Sequence, residues 1–166
     1  MKEFVLKKPV AMTGYPIHRL VAALTKGSAH LWRDQGDTLL IRTHAQLDTE
    51  GADLPTVSLG ELRLFKLRAS VSSKIRGRHI YPAKGDHRAR HEWLERQGLR
   101  HGFEVVAAHS TGAMARVADE SGRDFGMDAT DFTGVLKGTD TVAFTNALRV
   151  GVGSTGKAFG FSLLSI

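Results

Sequence analysis

From Glu61 onward the apolar residues change their spacing in a fixed order. A period-two run is followed by a helical stripe, two further period-two runs, a second helical stripe and a closing apolar run. Few folds accommodate strand, helix, strand, strand, helix, strand in so short a chain, and the split βαβ arrangement is the simplest of them. Strands are expected at ELRLFKLRAS from Glu61, at Phe103–Ala108, at Asp131–Leu136 and at Ala158–Ile166. The helices are expected at His87–Gln97, closed by Gly98, and at Asp140–Arg149, with Gly151 after its end. Trp93 and Leu94 anchor the first helix, and Ala143, Phe144, Ala147 and Leu148 form one face of the second. A Ser/Lys/Gly-rich loop through Gly85 and a Gly-rich polar excursion through Gly126 complete the path.

The residues before Glu61 read as a shorter copy of the same order. A strand is expected over residues 2–11, a turn at Thr13-Gly14, and an amphipathic helix over Tyr15–Lys26 ended by Gly27. Two short strands near Ala29–Arg33 and Thr38–Thr43 follow, and residues 45–59 are mostly loop with a short strand. The reading is therefore an α+β chain of two tandem ferredoxin-like (RRM-like) domains, 1–59 and 60–166, the first shortened by lack of a clear second helix. On the first helix Ile17, Leu20, Val21 and Leu24 make one stripe. Tyr15, His18, Arg19, Ala22 and Lys26 gather on the opposite face.

The chain has 166 residues, 42% of them hydrophobic, and no long uncharged apolar run, which fits a soluble globular protein without a membrane partner. Its start, MKEFVLKKPV, lacks the apolar region of a secretory signal, so a cytoplasmic location is expected. With no cysteine, disulfides, thiolate metal sites and cysteine nucleophiles are all excluded. The net charge of +6 is unevenly placed. Residues 63–90 carry nine basic side chains against one acid, Asp86, a local balance of +8, whereas the rest holds 14 basic and 16 acidic residues. Arg63, Lys66, Arg68, Lys74, Arg76, Arg78, Lys84, Arg88 and Arg90 thus form a candidate phosphate track, with an ordinary solvated basic face as the alternative.

Three motifs bear on chemistry. Residues 151–156, GVGSTG, match the dinucleotide fingerprint G-x-G-x-x-G in form. The match is a decoy, because the motif follows a helical pattern instead of a strand and opens no helix. What remains is a Gly-rich loop with a lysine, Lys157. His87 and His91 lie one helical turn apart, yet the flanking Arg88 and Arg90 disfavour a cation, so no metal site is assigned. Tyr15 and His18, three residues apart and flanked by Arg19, are neighbours on a polar helix face. A histidine can take or give a proton near neutral pH and a tyrosine can orient a hydroxyl, which suits metal-free transesterification of RNA.

Four blocks carry a resemblance to a known family: YPIHRL at 15–20, LFKLRAS at 64–70, HEWLERQ at 91–97, and FTGVL at 132–136 continuing through GVGSTGKAFGFSLLSI at 151–166. In this order they resemble the CRISPR-associated repeat-RNA endoribonucleases of the Cascade class, most closely the CasE type of the RAMP superfamily. The resemblance implies tandem ferredoxin-like domains and metal-independent cutting of precursor CRISPR RNA at a repeat hairpin. The partners it implies are the repeat stem-loop and other Cascade-type subunits, and it implies no cofactor. It makes His18 the general acid/base and Tyr15 its partner. Gly151, Gly153, Gly156, Lys157 and Gly160 would line an RNA-facing loop, with Arg19, Arg68, Lys74, Arg76 and Arg78 on the backbone. The chain departs from the family in having one residue more before Lys157 and a serine, Ser162, where a glycine is usual. Residues 110–126 offer only Arg116 and Arg123, which shifts the expected RNA contact to 63–90. A non-catalytic RNA-holding subunit of the same kind of complex is the alternative. A generic RNA-binding module fits less well, because neither half carries an aromatic-rich strand motif.

Overall fold

Phe4, buried at the centre of the first strand, faces a helix whose Ile17 and Val21 are fully enclosed, and this contact organises the first sixty residues. The structure is a computed structural model and describes residues 1–9 and 12–166. In chain order the elements are β1 (Lys2–Lys7), α1 (Tyr15–Leu24), β2 (His30–Asp34), β3 (Thr38–Thr43), β4 (Ala52–Asp53) and β5 (Leu62–Ala69). Next come β6 (Ser73–Ile75), β7 (Arg78–Ile80), α2 (His87–His101), β8 (Phe103–Ala118), β9 (Asp124–Gly138) and α3 (Thr141–Val150). A single 3-10 turn at Lys157–Phe159 and β10 (Leu164–Ser165) close the chain.

The fold is mixed α and β with antiparallel sheets. One sheet has the order β2-β3-β1-β4 and a second the order β10-β5-β9-β8, while β6 and β7 pair only with each other. Over the first sheet α1 packs Ile17 and Val21 with Phe4, Trp32, Leu39, Ile41 and Leu47. Over the second, α2 and α3 bury Trp93, Leu94, Phe144, Ala147 and Leu148 against Phe65, Leu67, Phe103, Phe132 and Leu136. Each large apolar side chain so enclosed contributes roughly 1.5–3 kcal/mol. Helix starts are chemically marked. Pro16 sits in the first turn of α1, the Asp86 carboxylate accepts from Ala89 N–H, and the Asp140 carboxylate accepts from Val142 and Ala143 N–H.

Two arginines tie the first sheet to the second half of the chain. Arg33 on β2 donates to the carbonyls of Leu163 and Lys66, and its burial pushes the guanidinium down to about 10. Arg42 on β3 pairs with Glu3 at 2.6 Å and donates to the carbonyl of Leu148 at the end of α3.

Several sequence expectations need correction. The strand expected over 2–11 ends at Lys7, and its last two positions, 10 and 11, lie outside the described residues. Helix α1 stops at Leu24, not Lys26, and Leu24, assigned to the core stripe, is exposed. The helix expected to close at Gly98 runs through it to His101. A Cβ at Gly98 would lie 2.4 Å from the Phe103 carbonyl, so that glycine serves close packing, and Gly102, at φ +71°, is the actual cap. The loop before Gly85 contains the β6–β7 hairpin. The polar excursion to Gly126 is strand: β8 and β9 run as one long ribbon paired from Phe103↔Gly138 to Ala118↔Asp124. Small residues at alternate positions hid this pattern, since they carry no apolar signal. Finally, 158–166 is not one strand. Gly156, Gly160 and Ser162 all have positive φ, which breaks an extended run, and only Leu164–Ser165 pairs with β5.

Candidate functional site

Tyr15 and His18 are set side by side by the three-residue spacing on α1, their ring centroids 5.3 Å apart. A row of rings continues from Tyr15 to Phe159 at 6.4 Å and from Phe159 to Phe125 of β9 at 5.7 Å. This row joins the helix to the terminal 3-10 turn and to the long ribbon. The ribbon's tip is folded by the Asp119 carboxylate, which accepts from Ser121 and Arg123 N–H, and it brings Glu120 up to the pair. Partial burial, and then the negative charge of Glu120, hold the Tyr15 phenol above its usual range. The His18 imidazole is lowered by burial and by the neighbouring His30, with Glu120 opposing. His18 Nδ1 is enclosed without a partner, and Arg19 beside it is exposed.

The lysine expected in the Gly-rich loop is exposed, and its Nζ donates to the Val150 carbonyl at 2.7 Å, at the negative end of α3. The loop's glycines have packing reasons of their own. A Cβ at Gly160 would lie 2.7 Å from the Trp32 ring, one at Gly156 2.5 Å from Phe161, and one at Gly153 3.1 Å from Trp93. Gly151 backs onto the Ser162 carbonyl. Ser162 is at φ +75°, which a glycine adopts without strain and which accounts for the glycine usual there.

The basic stretch does not form one track. Arg90 is buried and pairs with Asp128 at 2.6 Å; Arg63 pairs with Glu61 at 2.7 Å and Arg88 with Glu92 at 2.8 Å. Arg68, expected on the RNA side, lies 3.5 Å from Asp131 and over the Phe161 ring. Lys74, Arg76 and Arg78 differ: they sit on the exposed β6–β7 arm, with no carboxylate partner among the described residues. Arg123 is tied to Asp119 at 3.0 Å.

Three adjoining hollows run from this arm toward α1. Beside the base of the arm one is lined by Ser72, Ile80, Trp93, Arg96 and Glu92, the last paired with Arg88. Ser72 and Trp93 also line the next, of about 370 Å³, with Arg100, His101, Ser154, Thr155 and Lys157 and no carboxylate. Val150 and Lys157 then border a third, of about 460 Å³, whose wall includes His30, His44 and Arg149. The ring of His30 is 5.8 Å from that of His18. Burial, together with the Arg100 and Lys157 charges, lowers His101. Sequence reasoning missed Arg100, His101, His30 and Glu120, because each joins the site only through tertiary packing.

His87 Nδ1 lies 3.1 Å from Ser110 Oγ, and among the described residues no three His, Asp or Glu side chains gather as a metal site. No helix among them is long and apolar enough to cross a membrane.

The family model described as "CRISPR associated protein" matches residues 7–166. No curated protein matches the chain by sequence. Among solved structures, Thermus thermophilus Cse3 bound to an RNA representing a pre-cleavage complex has a TM-score of 0.82 at 20% identity, covering 99% of this chain and 98% of that one. The CRISPR-associated protein Cas6e from Escherichia coli K-12 has 0.73 at 17%, covering 99% and 96%. A chain of a CRISPR RNA-guided surveillance complex has 0.79 at 20%, covering 99% and 98%. At these identities the likeness is one of fold.

Proposed function

The chain belongs to the family of CRISPR associated proteins, and from that premise we propose that it is a metal-independent endoribonuclease that cuts precursor CRISPR RNA at the repeat hairpin and keeps the product. The observation that carries this is the set of cations, without a carboxylate partner among the described residues, on the β6–β7 arm and around the hollows that Arg100, Lys157 and His30 line, His30 being the ring next to His18. Such a set suits a polyanionic strand beside a proton-transfer group. The same reading divides the chain into two ferredoxin-like units, 1–59 and 60–166. Each large sheet supports it, with its first strand between its third and its last. The fold shared with a chain of an RNA-guided surveillance complex supports Cascade-type subunits as partners.

In this mechanism the 2′-hydroxyl next to the cut attacks its own phosphorus. His18, held toward its neutral form by burial, takes the hydroxyl proton. Tyr15, kept protonated by its raised pKa, donates to a phosphate oxygen, and Arg19 and Lys157 bear on the flanking phosphates. The products are a 2′,3′-cyclic phosphate and a 5′-hydroxyl.

The test is single-turnover cleavage of the repeat RNA in EDTA, with a 2′-deoxy substitution at the cut as control. His18→Ala should lose on the order of 10² to 10⁴ in rate at nearly unchanged affinity, and Tyr15→Phe should lose less. Cleavage of the deoxy substrate, or an absolute magnesium requirement, refutes the mechanism. An unchanged rate in His18→Ala favours the RNA-holding alternative.

A further inference from the structure

Transesterification of RNA needs one group to take the 2′-hydroxyl proton and another to protonate the departing 5′-oxygen. The function proposed above names only the first, and Tyr15, with its pKa raised, parts with its proton less readily than a free phenol. A second imidazole stands next to His18.

That group is His30, at the start of β2. Its Nδ1 lies 2.8 Å from the Ser28 carbonyl and 3.1 Å from Thr25 Oγ1. A carbonyl oxygen only accepts, so Nδ1 carries the proton. The Thr25 hydroxyl agrees: it is fully buried and directs its own hydrogen to the Val21 carbonyl at 2.9 Å, leaving its oxygen to face Nδ1 as an acceptor. With Nδ1 fixed as a donor, Nε2 is the only ring nitrogen of His30 that can gain or lose a proton. The ring lines the hollow of about 460 Å³ that Lys157 borders, and its centroid is 5.8 Å from that of His18 at an interplanar angle of 42°. Two imidazoles so placed are near enough for one phosphodiester lying across their edges to turn its entering oxygen toward one and its leaving oxygen toward the other.

We infer that His30 is the second proton-transfer residue of this site, its Nε2–H protonating the 5′-oxygen as His18 accepts the 2′-hydroxyl proton. The step balances: the bond from 2′-oxygen to phosphorus forms and the bond from phosphorus to 5′-oxygen breaks. One proton moves onto His18 and one leaves His30. The inference rests on the proposed endoribonuclease reading. The groups around His30 are His18 from α1, His44, Arg149 and Lys157 around the hollow, and the Met1 end of the chain; Tyr15, Arg19 and Glu120 surround His18. Glu120, with Asp119 beside it, supplies negative charge on the Tyr15 side, whereas the hollow that His30 lines holds cations and no carboxylate and so suits a phosphate.

The experiment measures single-turnover cleavage of the repeat RNA in EDTA against pH, with binding of the 2′-deoxy RNA as a check on folding. Wild-type protein should give a bell, falling at low pH as His18 is protonated and at high pH as His30 loses its proton. His30→Ala should lose about 10² to 10⁴ in rate, keep its affinity for the deoxy RNA and lose the alkaline limb. His30→Asn preserves a donor toward the Ser28 carbonyl but cannot titrate, and it should be as slow. Full activity in the Asn variant, or an intact bell in either variant, overturns the assignment in favour of a structural role. Nitrogen-15 spectra of histidine-labelled protein add a readout without RNA. Neutral His30 should be the Nδ1–H tautomer, and an Nε2–H tautomer overturns the assignment. A wild-type protein that binds the repeat RNA without cutting it overturns the functional reading, and the catalytic role of His30 with it, even where the tautomer is as expected.

Discussion

Replacing Lys74, Arg76 and Arg78 together with glutamine tests where the nucleic-acid backbone runs. These three cations lie on the exposed β6–β7 arm, with no ion pair among the described residues, so whatever counter-charge they meet must come from solvent ions or from RNA. Each phosphate contact contributes roughly 0.9 to the slope of log K against log salt on a duplex and about 0.7 on a single strand. Loss of three contacts therefore flattens the slope by about 2.7 or 2.1. Between 50 and 200 mM salt the variant's disadvantage should shrink by about 40-fold on a duplex and about 20-fold on a single strand. The assay is fluorescence anisotropy with 2′-deoxy repeat RNA across that range. The control replaces Arg63 and Arg88, which Glu61 and Glu92 already offset, and should leave the slope nearly unchanged. An unaltered slope in the arm variant, or an equal change in the control, refutes the reasoning.

Arg90→Met strands the fully buried Asp128, at a cost of about 3–5 kcal/mol. Thermal unfolding should fall by about 9–14 °C, and the Arg90→Met/Asp128→Asn double variant should recover part of it. Glu120→Gln removes the negative charge that opposes the lowering of His18, so the acid limb of the cleavage profile should move to lower pH, read from single-turnover rates. Ser162→Gly relieves a left-handed serine whose buried hydroxyl has no partner, and calorimetry should show a gain of about 1 kcal/mol after the entropy cost of glycine is subtracted.

Where apolar residues recur at a clear period, the fold was legible from sequence. The stripe Ile17 and Val21, the anchors Trp93 and Leu94, and the face Phe144, Ala147 and Leu148 all point inward as their spacing implies. The ribbon of β8 and β9 was not legible, because Gly112, Ala113, Ala115 and Gly126 give it no apolar alternation. Gly112 looks like a loop residue. Its lack of a side chain instead admits the Arg90 guanidinium, since a Cβ there would lie 2.2 Å from Arg90 Nε. Tyr15 and His18 could be found because they are three residues apart on one helix. His30 could not, since its approach to His18 depends on the turn through Lys26 and Gly27, both at positive φ.

Counting charge along the chain located a basic stretch but could not separate two uses of arginine. Arg90 is a scaffold cation. Besides Asp128 it reaches the carbonyls of Ala83 and Asp86, fixing the segment that joins the β6–β7 arm to α2, and it is closed to any ligand. A buried guanidinium of this kind adds one to the net charge and nothing to the surface potential, because a carboxylate at 2.6 Å cancels it. The opposite case is Lys157 with Arg100 and His101, far apart in sequence, around a hollow without a carboxylate. Burial first, and then the Arg100 and Lys157 charges, lower His101, so repulsion among these groups is part of what the fold bears. A bound phosphate offsets that repulsion. The partner's charge is therefore written less in the basic stretch than in these unmatched cations, which the fold assembles from the end of α2 and the Gly-rich loop beside the two histidines.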